Sequence, residues 1–256
     1  MGCYTLEYCR TTTIGRSCVS ELSVLPKLQT HVRDTVLARS SRFAFYRFLH
    51  ITDRRIPLPR EVFLGEIFCC DELLLEEYLT QSKNLVLVDV GAKVGLWTLR
   101  LAKRCKEVHA FEPNPESFSL LERNTRKLKN VNLYPFALGE EIGYKDFFVH
   151  KRPGYSSLVI KYADHVKTIR IPVRTLDSFD LGAVGLIKID TEGYELPVLR
   201  GGRKTIGREK PQLYIEIHML GQESLILKTL RGFGYSYSVY HLRNTFQSII
   251  VTDSEE

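Results

Sequence analysis

The stretch LVLVDVGAKVGLWTL, from Leu85 to Leu99, decides the fold of this chain. Its first six residues are apolar except for Asp89, a run typical of a strand buried inside a parallel sheet. Gly91 and Gly95 then mark a tight turn, and a helical spacing of apolar residues begins at Val94. A strand, a glycine turn and a helix in this order predict the first two elements of a βαβ unit, with room for a ligand over the turn.

Downstream of this stretch, apolar runs and helical patterns alternate. Strands are predicted at LVLVDV, EVHAFEP, VNLYPFAL, GLIKID and QLYIEIH. Helical spacings separate the first three runs, which gives a βαβαβ order with right-handed crossovers. Two extra strands, KDFFVHK and TIRIPVRTL, flank the loop RPGYSSL, and the tail predicts the helix ESLILKTLRGFG and a β-hairpin. The pattern predicts an α/β fold with a doubly wound, mostly parallel sheet.

The first sixty residues differ in charge from the rest. They contain ten lysines and arginines against four acidic residues, whereas the remainder is balanced, so the net charge of +6 belongs to this segment. A helical, aromatic pattern ends at Pro57 and Pro59. We expect a basic, mainly helical extension over 1–60 and a main domain over 61–256. Such a segment suits an anionic partner such as nucleic acid, but a solvated helical face is the favoured interpretation.

Targeting signals and metal-binding cysteines are not expected. No window approaches the roughly 20 apolar residues that span a bilayer, and the N-terminus lacks a signal-peptide pattern. Leu6 stands where N-myristoylation needs serine or threonine. The six cysteines include no Cys-x-x-Cys pair, which favours reduced thiols in the cytoplasm and argues against zinc.

The glycine turn matches neither common phosphate-binding motif. A dinucleotide fold needs a second glycine where Lys93 stands, and the Gly-Lys-Ser/Thr sequence of a Walker loop is absent. What remains is Asp89, Gly91 and Gly95, followed by Glu112 at the end of the next predicted strand. An exposed acid can attract an ammonium group, the turn can bind a carboxylate, and Glu112 can accept two ribose hydroxyls. S-adenosylmethionine has these parts; a plain turn with a chance acid is the alternative.

Seven segments make the sequence resemble one known family. In chain order they are VDVGAKVGLWTL, FEPNPESFSLLERN, FALGE, YSSL, IPVRTLDSF, IKIDTEGYELPVLRGG and YIEIH. Together, over residues 66–220, they resemble the FkbM family of S-adenosylmethionine-dependent methyltransferases. The resemblance implies a class I, Rossmann-like methyltransferase fold with a seven-stranded-type sheet. The first sixty residues and the hairpin tail lie outside it.

The resemblance also implies which residues surround the cofactor. The residues of the glycine turn would lie around the methionine half of the cofactor, and Glu112 would bind the ribose. Pro113 and Asn114 would flank the adenosine. Ala137 and Leu138, the last two residues of VNLYPFAL, would border the adenine. The family usually has asparagine where Lys93 stands, and a lysine there can reach the methionine carboxylate or point to solvent. The implied cofactor residues are Asp89, Gly91, Ala92, Lys93, Gly95, Glu112, Pro113, Asn114, Ala137 and Leu138.

Acidic residues follow the last two predicted parallel strands. Asp190 ends the run GLIKID and Glu192 follows it, at the sheet edge where ligands bind in such folds. A carboxylate there can deprotonate an oxygen nucleophile, and the base-methylating motif [DNS]-P-P-[YF] is missing, so hydroxyl methylation is expected. Glu216 and His218 share one face of the next strand and reach the same edge. His218, with an ordinary pKa near neutrality, completes the predicted catalytic set of Asp190, Glu192 and His218, and no metal is expected.

The sequence therefore predicts an S-adenosylmethionine-dependent O-methyltransferase acting on a sugar, glycan or natural-product hydroxyl. An RNA methyltransferase using the basic extension and a cofactor-binding protein without transferase activity are the alternatives. The loop RPGYSSL interrupts the strand pattern, so we expect Tyr155, Ser156 and Ser157 to approach the acceptor side of the cavity. A simple surface hairpin is the alternative for this loop.

Overall fold

The computed structural model describes residues 85–151, 155–160, 163–219, 221–241 and 248–252, the backbone alone for 238–241 and 248–252. The predicted N-terminal extension and the boundary at residue 60 lie outside these residues and stay predictions. Within the described ranges, none of the helices combines the length and hydropathy needed to cross a membrane.

Strands and helices alternate over most of the described chain. The strands are β1 (Val86–Val90), β2 (Glu107–Phe111), β3 (Val131–Tyr134), β4 (Ala137–Leu138), β5 (Gly143–His150), β6 (His165–Arg174), β7 (Val184–Ile189), β8 (Gln212–Ile217), β9 (Tyr237–His241) and β10 (Ser248–Thr252). The helices are α1 (Leu96–Leu101), α2 (Pro115–Thr125), α3 (Glu195–Gly201), α4 (Arg203–Glu209) and α5 (Gln222–Gly232), with a 3-10 turn at Leu176–Ser178.

A seven-stranded sheet forms the centre of this region, in the order β3-β2-β1-β7-β8-β10-β9. The first five strands in that order run parallel, and β10 is antiparallel to both of its neighbours. The described part of the chain thus begins in the middle of the sheet, winds outward to β3 and returns to the other side of β1. This topology confirms the predicted doubly wound, mostly parallel sheet and the C-terminal hairpin.

The continuous apolar run of the opening stretch has its expected environment. All five residues of β1 are buried, and the most exposed of them, Val86, is only 6% exposed. Neighbouring β7 is almost equally buried. The carboxyl ends of both strands meet at the point where the chain reverses its direction of winding, which is where ligands bind in open α/β sheets.

A second, three-stranded sheet has the order β4-β6-β5. Its long antiparallel pair, β5 and β6, confirms the two extra strands. The run VNLYPFAL, expected as one strand, is instead divided between β3 of the large sheet and β4 of the small one. Pro135 lies at the division and has no N–H to donate to a ladder. Ala137 and Leu138 therefore belong to the small sheet and are not the end of β3.

Candidate active site

A pocket opens at the carboxyl ends of β1, β2 and β7. It brings together seven of the ten residues expected around a cofactor and two of the three expected to be catalytic. These are Gly91, Lys93, Glu112, Pro113, Asn114, Ala137, Leu138, Asp190 and Glu192. Lining residues that the sequence did not single out are Val90, Phe111, Ser117, Phe147, Leu158, Thr191 and Tyr194.

Three expected cofactor residues, Asp89, Ala92 and Gly95, are buried or packed behind the pocket lining. The expectation that the acid at position 89 is exposed is wrong, because Asp89 is 0% exposed. Its Oδ2 accepts a hydrogen bond of 2.6 Å from Thr98 Oγ1, and its Oδ1 lies 3.6 Å from Lys188 Nζ. Asp89 therefore joins β1 to α1 and β7.

The glycine turn lies directly against the turn after β7. Gly91 has a φ of +78°, and a Cβ there would lie 1.9 Å from the backbone oxygen of Asp190. Lys93 has a φ of 56°, a left-handed conformation that costs an ordinary residue roughly 1–2 kcal/mol. Its backbone N–H donates to Glu112 Oε2 at 2.8 Å, which holds the turn against the end of β2.

Glu112 is buried at the end of β2 and accepts two backbone hydrogen bonds. Lys93 N donates to Oε2 and Asn114 N to Oε1, each at 2.8 Å. Burial raises the pKa of Glu112 to about 7, although these two N–H donors act in the opposite direction. Each carboxylate oxygen has two lone pairs, so the two bonds leave capacity for a ligand's hydroxyl groups.

A buried lysine links the two turns. Lys188 Nζ lies 3.2 Å from Asp190 Oδ2 and donates to the Gly91 carbonyl at 3.2 Å, in addition to its contact with Asp89. Burial by itself would lower the pKa of Lys188, but Asp190 and Asp89 outweigh it and raise that pKa. Burial likewise works against ionisation of Asp190, yet Lys188 and His218 hold its pKa well below the usual range. Asp190 is therefore a carboxylate at neutral pH.

His218 lies among four carboxylates. Its Nε2 is 3.3 Å from Glu216, 3.7 Å from Asp190 and 3.8 Å from Glu192, and its Nδ1 is 3.2 Å from Glu195. Burial would lower its pKa, but Glu195, Glu216 and the other acids raise the pKa of His218 to about 12. The expectation that this histidine titrates near neutrality is wrong, because the sheet edge surrounds it with negative charge. A protonated imidazole can donate but cannot accept a proton.

Glu192 differs from Asp190 in both backbone and charge. It has a left-handed φ of 54°, and its side chain, 16% exposed, lines the pocket. Burial, together with Asp190, raises the pKa of Glu192 to about 7 against the opposing effect of His218. A carboxyl with this pKa changes between its two protonation states near neutral pH, as a general base requires.

The same cluster has the spacing of a metal site. The donor atoms of Asp190, Glu192 and His218 lie within 4.8 Å of one another. Two cations, Lys188 and the protonated His218, already neutralise part of this negative charge. We assign no metal here, and the expectation of none stays a prediction.

Sequence reasoning missed one important acid, Glu195. Its carboxyl is completely buried, contacts His218 and accepts a hydrogen bond from Gly193 N at 2.8 Å. A signal existed, because Glu195 shares the helical spacing of the buried residues Val198 and Leu199 in α3. An acid at an apolar position of a helix next to a catalytic motif predicts a buried, paired carboxylate.

The loop RPGYSSL lies beside the pocket over its described part. Ser156 and Leu158 line the cavity, whereas Tyr155 is 47% exposed and its ring lies 5.3 Å from that of His150. Ser157 is fully buried behind the lining. Of the three residues expected near an acceptor, one therefore faces the pocket.

The sheet order and the pocket at its switch point define a class I, Rossmann-like methyltransferase fold. The solved structure of methyltransferase FkbM from Methylobacillus flagellatus has this fold, with a TM-score of 0.52 at 16% identity over 87% of this chain and 60% of that one. The sequence model of the Methyltransferase FkbM domain matches residues 89–237, more than half of the chain. The chain belongs to the FkbM methyltransferase family.

Two curated relatives share part of their length with this chain. Methyltransferase 1 of Beauveria bassiana is 28% identical over 142 residues, which cover 45% of this chain and 57% of the relative. The hexuronic acid methyltransferase AglP of Haloferax volcanii is 29% identical over 133 residues, which cover 50% of this chain and 53% of the relative. The chain thus spans about half the length of the curated relatives it matches.

Proposed function

We propose that this chain is an S-adenosylmethionine-dependent methyltransferase that methylates a hydroxyl group of a sugar, glycan or natural-product acceptor. One observation carries the proposal: the glycine turn and Glu112 share a pocket with Asp190 and Glu192. A cofactor on the first side would present its methyl group to an acceptor on the second side. Membership of the FkbM family supports methyl transfer as the reaction.

The cofactor side has the chemistry that S-adenosylmethionine needs. Both oxygens of Glu112 keep a lone pair for a ribose hydroxyl after accepting their backbone hydrogen bonds. Hydroxyl donors would also favour the charged form of Glu112, whose pKa is raised to about 7 in the ligand-free chain. Ala137 and Leu138 are buried apolar residues in the same lining, which suits the face of an adenine ring.

The acid side has the chemistry that a hydroxyl acceptor needs. When bound, S-adenosylmethionine supplies a methyl group on a sulfonium: a carbon–oxygen bond forms as the carbon–sulfur bond breaks, and its electron pair stays on sulfur. The chain must align the acceptor and take its proton. Glu192 is the better proton acceptor, since its pKa of about 7 lies near neutrality. Asp190, held ionised by Lys188 and His218, can accept a hydrogen bond from the hydroxyl and orient it.

A hydroxyl is a better nucleophile for this pocket than a carboxylate. Asp190 is ionised and Glu192 lies beside it, so these acids would repel the negative charge of an acceptor carboxylate at the position where the methyl group is transferred. The name of the archaeal relative supports a sugar acid as the kind of acceptor. We therefore place the methyl group on a ring hydroxyl, with any acidic group of the sugar directed away from Asp190.

Calorimetry and labelled methyl transfer test this proposal. Wild-type chain should bind S-adenosylmethionine and not NAD. With S-adenosylmethionine carrying a tritiated methyl group, label should pass to hexuronic acids or neutral sugars as an ether that survives alkali. A methyl ester, which alkali releases, would contradict hydroxyl methylation.

The same assays separate the two alternatives. Salt-sensitive labelling of RNA that disappears on deletion of residues 1–60 would support an RNA methyltransferase. Tight binding of S-adenosylmethionine with no label transferred to sugars, natural products or RNA would support a cofactor-binding protein without transferase activity. The cytoplasmic location stays a prediction that fluorescence microscopy of the tagged chain can check.

A further inference from the structure

One peptide group in the turn after β7 is held at both of its polar atoms. The carbonyl oxygen of Glu192 accepts a hydrogen bond of 2.6 Å from Ser157 Oγ, and the N–H of Gly193 donates to Glu195 Oε1 at 2.8 Å. These two backbone atoms belong to the same peptide plane. Ser157 and Glu195 are each 0% exposed, so water does not compete for either bond.

This peptide is flanked by the ψ of Glu192 and the φ of Gly193, and the two hydrogen bonds hold both angles. Glu192 has a left-handed φ of 54° and Gly193 a φ of 102°, and an ordinary residue in the left-handed region needs outside contacts to stay there. A Cβ on Gly193 would lie 2.9 Å from Met219 Sδ and 3.3 Å from Ile160 Cδ1, so the turn is also closely packed. A different orientation of this peptide would change the ψ of Glu192, and with it the position of the Glu192 side chain relative to the turn that follows.

Ser157 uses its full hydrogen-bonding capacity at this position. A hydroxyl has one donor and two lone pairs. Its hydrogen goes to the Glu192 carbonyl, and its oxygen accepts from Val159 N at 3.1 Å and from Ile160 N at 3.0 Å. Alanine would remove the partner of all three backbone groups, and losing the bond to the Glu192 carbonyl would cost free energy at the pocket turn.

The backbone of Ser157 is anchored as firmly as its side chain. It exchanges two hydrogen bonds with Phe148 of β5, of 2.8 Å and 3.1 Å. Its neighbours Ser156 and Leu158 line the pocket. Ser157 therefore connects three parts of the molecule: the small sheet, the loop beside the pocket and the turn that carries Glu192.

We propose that Ser157 is a positioning residue, which holds the Glu192–Gly193 peptide so that the Glu192 carboxyl faces the acceptor. The inference rests on the proposed methyl transfer, in which Glu192 takes the acceptor's proton. Ser157 is not among the residues that line the pocket, and it would act through the Glu192 backbone.

Nuclear magnetic resonance tests the positioning without any acceptor. The glutamate carboxyls of the chain are labelled with 13C, and the signal of Glu192 is assigned as the one that disappears in the Glu192→Gln variant. The titration midpoint of this signal should lie near the raised pKa of about 7. Ser157→Ala should lower the midpoint by about one pH unit or more, because the released carboxyl becomes hydrated. Ser157→Thr, which keeps the hydroxyl, should restore most of the wild-type value. If Ser157→Ala does not fold, Ser157→Cys replaces it, since a thiol fills the site but donates weakly.

Ser178 provides a matched control. Its hydroxyl also donates to a backbone carbonyl, that of Thr175 at 2.6 Å, but on an exposed 3-10 turn. Ser178→Ala should leave the Glu192 midpoint unchanged. A midpoint that moves no further in Ser157→Ala than in Ser178→Ala would overturn the proposal.

A double-mutant cycle tests the effect on transfer. Ser157→Ala should slow methyl transfer about tenfold or more in the wild-type background, because small misplacements of a catalytic group are costly. In the Glu192→Gln background the same change should have no further effect. An equal slowing in both backgrounds would mean that Ser157 does not act through Glu192. A wild-type chain that binds no S-adenosylmethionine would defeat the proposed function instead, and the midpoint measurement would still decide the positioning.

Discussion

The turn after β1 and the turn after β7 are built alike but face different surroundings. Asp89 is the last residue but one of β1, and Asp190 directly follows β7. Each turn then contains a left-handed residue other than glycine, Lys93 with a φ of 56° and Glu192 with a φ of 54°. Both aspartates contact Lys188. Asp89 is completely buried, whereas the side chain of Asp190 is 18% exposed and lines the pocket.

Strand register explains the difference between the two aspartates. Asp89 is paired with Lys188 across the β1–β7 ladder, so its carboxylate lies beside that lysine on a covered face of the sheet. Asp190 follows the last residue of β7 and lies beyond the ladder, at the open edge. The same residue type next to the same cation is therefore buried within one strand and lines the pocket after the other. Four experiments would break or sharpen this comparison.

The largest effect should come from forcing the two turns apart. Gly91→Ala places a Cβ 1.9 Å from the Asp190 carbonyl oxygen at a φ of +78°, so we expect the free energy of unfolding to fall. The loss should be about 4 kcal/mol or more, measured by urea unfolding. Gly207→Ala is the control: it lies inside α4 with open space around it, and alanine there should stabilise by about 0.5–1 kcal/mol. Equal stability of the two variants would contradict the close contact of the turns.

The next effect concerns the pocket-facing acids. Asp190→Asn and Glu192→Gln are nearly isosteric and should leave the fold and most cofactor binding intact. Turnover on the acceptor found by the labelling screen should fall about 10²–10⁴-fold, or roughly 3–5 kcal/mol in barrier, with the larger loss at Glu192. Full turnover in both variants would rule out the acid–base role. Loss of S-adenosylmethionine binding in both would place these acids in the cofactor site instead.

A smaller effect is expected on the cofactor side. Glu112→Ala removes the proposed acceptor of two ribose hydrogen bonds and should weaken S-adenosylmethionine binding by roughly 2–4 kcal/mol in calorimetry. Glu116 provides the control, because its exposed carboxylate only pairs with Lys167 at 2.7 Å. Glu116→Ala should change the affinity little. Unchanged affinity in Glu112→Ala would remove this residue from the cofactor site.

The smallest effect is on the pH dependence of stability. The pKa of Glu192 is about 7 in the folded chain against an ordinary 4.5, so the folded state binds more protons than the unfolded state between these values. The free energy of unfolding should therefore decrease as pH rises through this window, by at most ~1.4 kcal/mol per pH unit from this one residue. Glu192→Gln should flatten the slope in urea unfolding at pH 5, 6 and 7, and Glu116→Gln should not. An unaltered slope in Glu192→Gln would mean that its carboxyl is not buried as described.

The sequence by itself determined the sheet and the family. Mostly apolar runs marked β1, β2, β7 and β8, because a strand covered on both faces buries nearly all of its side chains. The ordered motifs identified the FkbM family, which the match over residues 89–237 confirms. The division of VNLYPFAL at Pro135 was not predicted, although proline cannot donate to a ladder. The roles of the individual site residues stay predictions.

Only the tertiary structure decided the charge states of the site. His218 receives its neighbours from the turn after β7, from α3 and from β8, and no spacing in the sequence predicts that Glu195 and Glu216 raise its pKa to about 12. Asp89 became buried because its ladder partner is Lys188, ninety-nine positions along the chain. Electrostatic effects depend on distance in space and on burial, and both are fixed only when separate strands meet at one edge of the sheet.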